Sequence, residues 1–250
     1  MVLIHGAWQG AWAFDFWLPE LARLGWRAEA VELPGNGCDP ADATPSSQVS
    51  LQRYVDHVLS VIEREPGPVV VVGHSGGGLT ATAVAEAAPD RVAAVVYLAG
   101  MMLPSGMGFG QLVAQCQAEA PGTDLSGIGP WLSDTPAGVG SVVDPEAAAR
   151  VFLQDCEPAL ARQLAARLKV QPHGGRDMAP VWTAARFGRV PRIYVEARAD
   201  LSLRLPVQRR MQQLVPGAFP ISLDCGHVPQ VVRARKSAEQ ICGVLTQGRP

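Results

Sequence analysis

An α/β fold, built on a mostly parallel six-stranded sheet with helices on both faces, is what this sequence predicts. Three observations carry that expectation. Six short apolar, β-branched runs recur along the 250 residues, amphipathic segments separate them, and within each run the apolar residues are continuous rather than alternating. Continuous runs mark strands buried on both faces, and strands alternating with helices give a parallel sheet sandwiched by helical layers. With 48% hydrophobic and 18% charged residues, the chain is long enough for one well-buried core and too apolar for disorder.

The first run is "MVLI" (Met1 to Ile4), followed by a helix candidate near Phe14 to Leu24. "RAEAVEL" (Arg27 to Leu33) comes next, then a helix near Ser50 to Arg64 with apolar residues at three-to-four spacing. "PVVVV" (Pro68 to Val72) leads through a glycine-rich turn into a helix over Gly77 to Ala88, and "AAVVYLA" (Ala93 to Ala99) is the fourth run. The rhythm then stops: from about Pro104 to Gly188 there are loop residues and helix candidates such as "DPEAAARVFLQDC" and "PALARQLAARL", with no convincing strand. A structureless excursion of that length does not suit a compact domain. Residues 104–188 therefore read as a helical cap inserted into a core formed by residues 1–103 and 189–250. The rhythm resumes with "RIYVEA" (Arg192 to Ala197), a helix over Pro206 to Leu214, "FPISLD" (Phe219 to Asp224) and a last helix over Pro229 to Leu245.

A formal net charge of -2 supplies no basic face for nucleic acid or an anionic membrane, so a small, weakly charged ligand is the expected partner. Five widely spaced cysteines without a C-x-x-C pair read as reduced, mostly buried residues, not as a zinc site or disulfide framework. The chain opens directly on a strand-like run, without a basic and apolar leader, and no apolar run approaches the roughly 18 residues of a membrane span. A cytoplasmic location is expected, with no metal or cofactor; no dimer interface is legible, although a homodimer suits the architecture.

The glycine-rich turn has two readings. "GGGLTA" (Gly76 to Ala81) fits the loose G-x-G-x-x-A dinucleotide fingerprint after a strand and before a helix. Yet the next strand ends in "YLAGMML", with no acid for a ribose, and no P-loop lysine is present. "GHSGG" (Gly73 to Gly77) fits G-x-S-x-G, in which a serine sits on a sharp strand-to-helix turn and flanking glycines remove colliding side chains. Ser75 could also be a simple helix cap. A hydroxyl nucleophile needs a neutral imidazole as base and a carboxylate to hold the ring. His227, in "DCGHVPQ", is the one histidine of five just beyond the last run, and Asp200 lies just beyond the fifth. Ser75, Asp200 and His227 thus stand at strand carboxyl ends, where open α/β sheets place their sites. Asp224 and Glu196 are the weaker acids, His57 and His173 read as solvated, and His5 and His74 as structural hydrogen-bonding groups. The oxyanion formed on attack needs waiting donors: the amide after the nucleophile, Gly76, and one from "HGAWQGAW", for which Ala7 is the choice.

At four segments, "VLIHGAWQGAW", "GHSGGG", "RIYVEARADLSLRLPVQRRM" and "DCGHVPQ", the sequence resembles the plant methyl esterase and hydroxynitrile lyase family of α/β-hydrolases and its bacterial esterase relatives. The likeness runs through the chain in order and is thinnest in the cap. It implies an α/β-hydrolase fold, a Ser75–Asp200–His227 triad, an Ala7/Gly76 oxyanion hole and ester hydrolysis through an acyl-enzyme, without a cofactor. Since no run of carboxylates or arginines points to a charged substrate, a small, largely apolar ester is expected. The lyases carry threonine where Gly6 stands and lysine where Val228 stands, so cyanohydrin cleavage is the alternative and hydrolysis the expectation. A non-catalytic ligand-binding protein on the same fold is a further alternative. Gly76 departs from the family's bulky apolar residue after the serine, which removes a pocket wall. Trp8, Met101, Met102, Leu103, Phe109 and Trp131 are the pocket candidates.

Overall fold

A computed structural model describes residues 1–39 and 41–248. The chain runs through β1 (Val2–Ile4), α1 (Leu18–Arg23), β2 (Glu29–Val31), α2 (Leu51–Ile62), β3 (Val69–His74), α3 (Gly77–Ala87) and β4 (Val92–Leu98). It continues through α4 (Phe109–Glu119), β5 (Leu132–Asp134), β6 (Gly140–Val143), α5 (Pro145–Val151), α6 (Pro158–Ala165) and β7 (Gln171–Pro172). It ends with β8 (Arg192–Ala197), α7 (Leu205–Leu214), β9 (Ala218–Leu223), α8 (Pro229–Val232) and α9 (Ala234–Thr246). Six of these strands form one sheet in the order β2-β1-β3-β4-β8-β9, with every neighbouring pair parallel.

The continuous apolar runs have a direct structural cause. Successive side chains of a strand point to opposite faces, and here both faces are covered. Val71, Val95 and Tyr97 face a core completed by Tyr54 and Val58 of α2, Leu79 of α3 and Met211 of α7. Val70, Val72, Val96 and Leu98 face a second core with Trp17, Leu21 and Ile241, which come from the α1 and α9 side. All six residues of β3 are buried. The helix start at α2 is chemically specified: the Ser50 side chain accepts from the Arg53 amide at 3.2 Å, satisfying a donor the helix leaves unpaired.

The excursion between β4 and β8 differs from the expected all-helical insertion. It contains a second, three-stranded antiparallel sheet of β5, β6 and β7. These strands are two to four residues long and include "LSD" and "QP", too short to show a period. Glycines around α4 likewise hide a helix that begins at Phe109. The single helix expected near the C-terminus is broken into α8 and α9 at Arg233, whose backbone (φ -133°, ψ 34°) is not helical. A third apolar cluster joins the excursion to the rest: Val143, Ala147, Phe152 and Leu164 pack with Trp8 of the loop after β1 and Val228 of the loop after β9.

Candidate active site

The site is assembled where three parallel strands end. At the β3–α3 turn, Ser75 adopts φ of +50°, a left-handed conformation uncommon outside glycine. The close crossing demands bare backbone on either side. A Cβ on Gly73 would lie 2.6 Å from the Gly78 amide nitrogen, and one on Gly77 would lie 2.5 Å from the Ile4 carbonyl oxygen. The turn therefore lifts the serine out of the strand and onto a cavity of about 380 Å³, which His227 also lines.

Asp200 and His227 form a hydrogen-bonded pair. The Asp200 Oδ1 accepts from the amides of Ser202 at 2.7 Å and Leu203 at 2.9 Å, which fixes the carboxylate as the chain leaves β8. Its Oδ2 accepts from His227 Nδ1 at 2.7 Å, and both residues are 3% exposed or less. With Nδ1 donating to the carboxylate, Nε2 carries the lone pair needed by a general base. No hydrogen bond joins Ser75 to His227 among the described residues, and such contacts often tighten only around substrate.

The alternative acids are engaged elsewhere. Asp224 accepts from Arg198 Nε at 2.6 Å, and Glu196 takes Ser222 Oγ at 2.6 Å and Arg209 at 3.2 Å. His5 and His74 are buried and held within the scaffold. His5 Nδ1 donates to the Gly6 carbonyl at 2.8 Å while its Nε2 accepts from the Leu33 amide. His74 Nε2 donates to the His227 carbonyl at 2.8 Å and its Nδ1 lies 3.0 Å from the Gln9 side chain. Burial lowers His5 to about 4, and burial together with neighbouring His227 lowers His74 to about 3, so both rings are neutral near pH 7.

The loop after β1 selects a donor by satisfying its neighbours. The Gly6 amide donates to Gln9 Oε1 at 3.2 Å and the Trp8 amide to Gln171 Oε1 at 3.1 Å. Between them, the Ala7 amide has no protein acceptor among the described residues, and neither has the Gly76 amide. Trp8 itself takes φ of +62° to complete this loop. The two free amides belong to adjoining segments: a Cβ placed on Gly76 would be 3.7 Å from the Ala7 nitrogen. Paired, unsatisfied N–H groups beside a nucleophile are what a developing oxyanion requires.

Trp8, Met101 and Phe109 line the cavity. Met102, Leu103 and Trp131 do not, which corrects the sequence expectation. The Met101 amide is tied to the Ser75 carbonyl at 2.9 Å, which holds that residue at the site. The next two side chains turn into the core and are 0% exposed. Trp131 lies on the outer surface, 45% exposed, with the Arg150 guanidinium 5.2 Å above its ring. Walls absent from the sequence reading include Val113, Leu125, Ile128, Phe152 and Met178. They come from separate pieces of the excursion, and no local pattern distinguishes them from ordinary core residues.

One stretch of the excursion reaches the triad loops themselves. Phe152 stacks on the His227 ring at 5.3 Å and on Trp8 at 6.1 Å between centroids. Gln154 Nε2 donates to the Ala199 carbonyl at 2.8 Å, and Asp155 Oδ2 accepts from the Gly226 amide at 2.8 Å. The residues immediately before Asp200 and His227 are thus both tied to the same short segment, Gln154 and Asp155, just beyond the end of α5. Among the described residues there is no cluster of side chains suited to a metal ion, and no helix is long and apolar enough to cross a membrane.

Comparison with known proteins finds hydrolases and esterases that match over most of this chain. A pyrethroid hydrolase from Sphingobium wenxiniae is 28% identical over 250 residues, covering 96% of this chain and 85% of that protein. Methylesterase 7 of Arabidopsis thaliana is 26% identical over 258 residues, with 98% and 94% covered. The crystal structure of a pyrethroid hydrolase from Sphingobium faniae JZ-2 superposes with a TM-score of 0.80 at 26% identity, covering 98% of this chain and 96% of that one. The sequence profile of the alpha/beta hydrolase family matches residues 1–239. A parallel sheet with its strand-end site, matched over nearly its whole length by that profile, places this chain in the alpha/beta hydrolase family.

Proposed function

We propose that this chain is a serine carboxylesterase acting on a small, largely apolar ester through an acyl-enzyme at Ser75. The enzyme hydrolyses carboxylic esters, the reaction class to which the names of its relatives point. The observation that carries the mechanism is the Asp200–His227 contact of 2.7 Å, in one site with Ser75 and two free amides. His227 Nε2 takes the Ser75 proton as Oγ bonds to the ester carbon, and the oxyanion is held by the Ala7 and Gly76 amides. The carbon–oxygen bond to the alcohol then breaks, and the imidazolium returns its proton to the leaving oxygen. Water, deprotonated by the same nitrogen, attacks the acyl carbon and restores Ser75 with release of the acid.

The predominantly apolar walls, with Phe109, Val113, Ile128 and Met178 among them, support an uncharged ester of modest size. Cyanohydrin cleavage is not supported. A Cβ on Gly6 would lie 2.9 Å from Ser75 Cβ and 3.2 Å from both Gln9 Oε1 and His74 Nδ1, so threonine has no room. Val228 is apolar and packed among Trp8 and Phe152. Five unpaired cysteines suit a reducing compartment, and we assign the enzyme to the cytoplasm on that ground.

A fluorophosphonate probe tests the reading: stoichiometric labelling mapped to Ser75, with loss of turnover on simple esters, is the expected result. A chain that resists labelling while binding esters unchanged would instead be a ligand-binding member of the fold.

A further inference from the structure

Four glycines surround Ser75, and they are not equivalent. A Cβ on Gly73 or Gly77 would collide with backbone at 2.5–2.6 Å, and one on Gly78 would meet the Met101 carbonyl oxygen at 2.6 Å. Backbone atoms of a strand–helix crossing cannot shift cheaply, so those three positions are closed to any side chain. Gly76 has φ of -57° and ψ of -24°, a right-handed conformation open to every residue. Its added Cβ would meet one atom within 4 Å, the Ala7 nitrogen at 3.7 Å, an ordinary van der Waals contact. The fold does not require glycine there. Its bare Cα instead leaves space in the cavity, directly beside both free amides.

Reaction geometry assigns that space. Around the tetrahedral carbon, one bond goes to Ser75 Oγ, the oxyanion points at the Ala7 and Gly76 amides, and the leaving oxygen must face His227 to receive its proton. The fourth substituent, the acyl carbon, takes the direction left open. A side chain at position 76, rising beside the oxyanion donors, would crowd the groups borne by that carbon. We propose that Gly76 makes this enzyme competent for esters of acids branched at the carbon next to the carbonyl. The proposal rests on the esterase reading and narrows it to a substrate class. In acylation the Ser75 Oγ–carbon bond still forms and the alcohol carbon–oxygen bond still breaks; branching alters only the room required.

The test uses para-nitrophenyl acetate, isobutyrate and pivalate, which share a leaving group and differ in branching, with the wild type, Gly76→Ala and Gly76→Leu. The readout is the pivalate-to-acetate ratio of kcat/KM within each protein, because residue 76 also supplies an oxyanion donor and absolute rates can move. One methylene-sized obstruction in a pocket changes discrimination by about 10- to 200-fold, so the ratio should fall by about that factor in Gly76→Ala and further in Gly76→Leu. Since position 76 has room for a Cβ, the alanine variant is expected to fold, and its circular dichroism verifies this. An unchanged or rising ratio in a folded Gly76→Ala protein overturns the proposal while leaving the esterase reading intact. Failure of the wild type to hydrolyse any of the three esters or to be labelled at Ser75 removes both.

Discussion

The parallel-sheet core and the excursion between β4 and β8 contribute to one site by different means. The core presents Ser75, Asp200 and His227 from loops that follow β3, β8 and β9, each placed by strand geometry and local backbone chemistry. The excursion supplies Phe152, Gln154 and Asp155, which bear on the imidazole and on the loops before the acid and the base. Regular structure brings the three proposed catalytic side chains together, whereas an irregular segment contacts the loops that carry two of them and lines the space in front of them. If that division is correct, perturbing the core should abolish chemistry, and perturbing the excursion should degrade it.

The largest effect is expected at the core. Ser75→Ala should lower kcat by about a million-fold if the triad works as a unit, measured by ester turnover at saturating substrate; a loss below about tenfold would mean that the chemistry lies elsewhere.

Asp155→Ala probes the excursion, because it removes the acceptor of the Gly226 amide one residue before His227. Misplacing the imidazole by about 1 Å should cost about 100-fold in kcat with little change in KM. Asp155→Asn, which keeps an acceptor oxygen, should restore most of it. A change confined to KM would make the segment a cavity wall and nothing more.

Buried His5 and His74 give the core an acid sensitivity. Their folded-state values, about 4 and about 3, lie below the ordinary value of 6.5. Between those limits the unfolded chain binds protons that the folded chain does not. Stability is therefore fully present above about pH 6.5 and is lost as pH falls toward 4 and then 3, at about 1.4 kcal/mol per pH unit for each ring. Urea titrations at pH 7 and pH 5 measure the slope, and His74→Asn should reduce it. Equal stability at the two pH values would contradict the buried, neutral assignment.

The smallest effect concerns Gly76. Because its backbone is right-handed and unobstructed, Gly76→Ala should stabilise the fold by about 0.4–1 kcal/mol through the entropy of the unfolded chain. Thermal denaturation detects this, and a loss of stability would reveal a steric demand that the Cβ distances do not show.

Legibility follows the same division. The six strands of the core are visible as continuous apolar runs because both sheet faces are covered, and Ser75 stands out because a strained turn needs glycines at Gly73 and Gly77. The second sheet is invisible because strands such as Gln171–Pro172 are too short for a period, and their partners lie distant in the chain. Met102 and Leu103 mislead for a related reason. They follow Met101 directly and share its apolar character, yet Met101, whose amide bonds the Ser75 carbonyl, lines the cavity while Met102 and Leu103 are packed in the core.

By itself, then, the sequence determined the α/β architecture, the elbow and the order of the triad candidates, since these depend on local backbone demands and on periodic burial that neighbouring residues record. Tertiary structure decided which amides remain free, which side chains face the cavity, and that Gly76 alone among the glycines around Ser75 is not needed for the turn. Those properties are distances between segments remote in sequence: the Ala7 amide is free because Gln9 and Gln171 satisfy its neighbours, and no pattern within either segment states that they will meet.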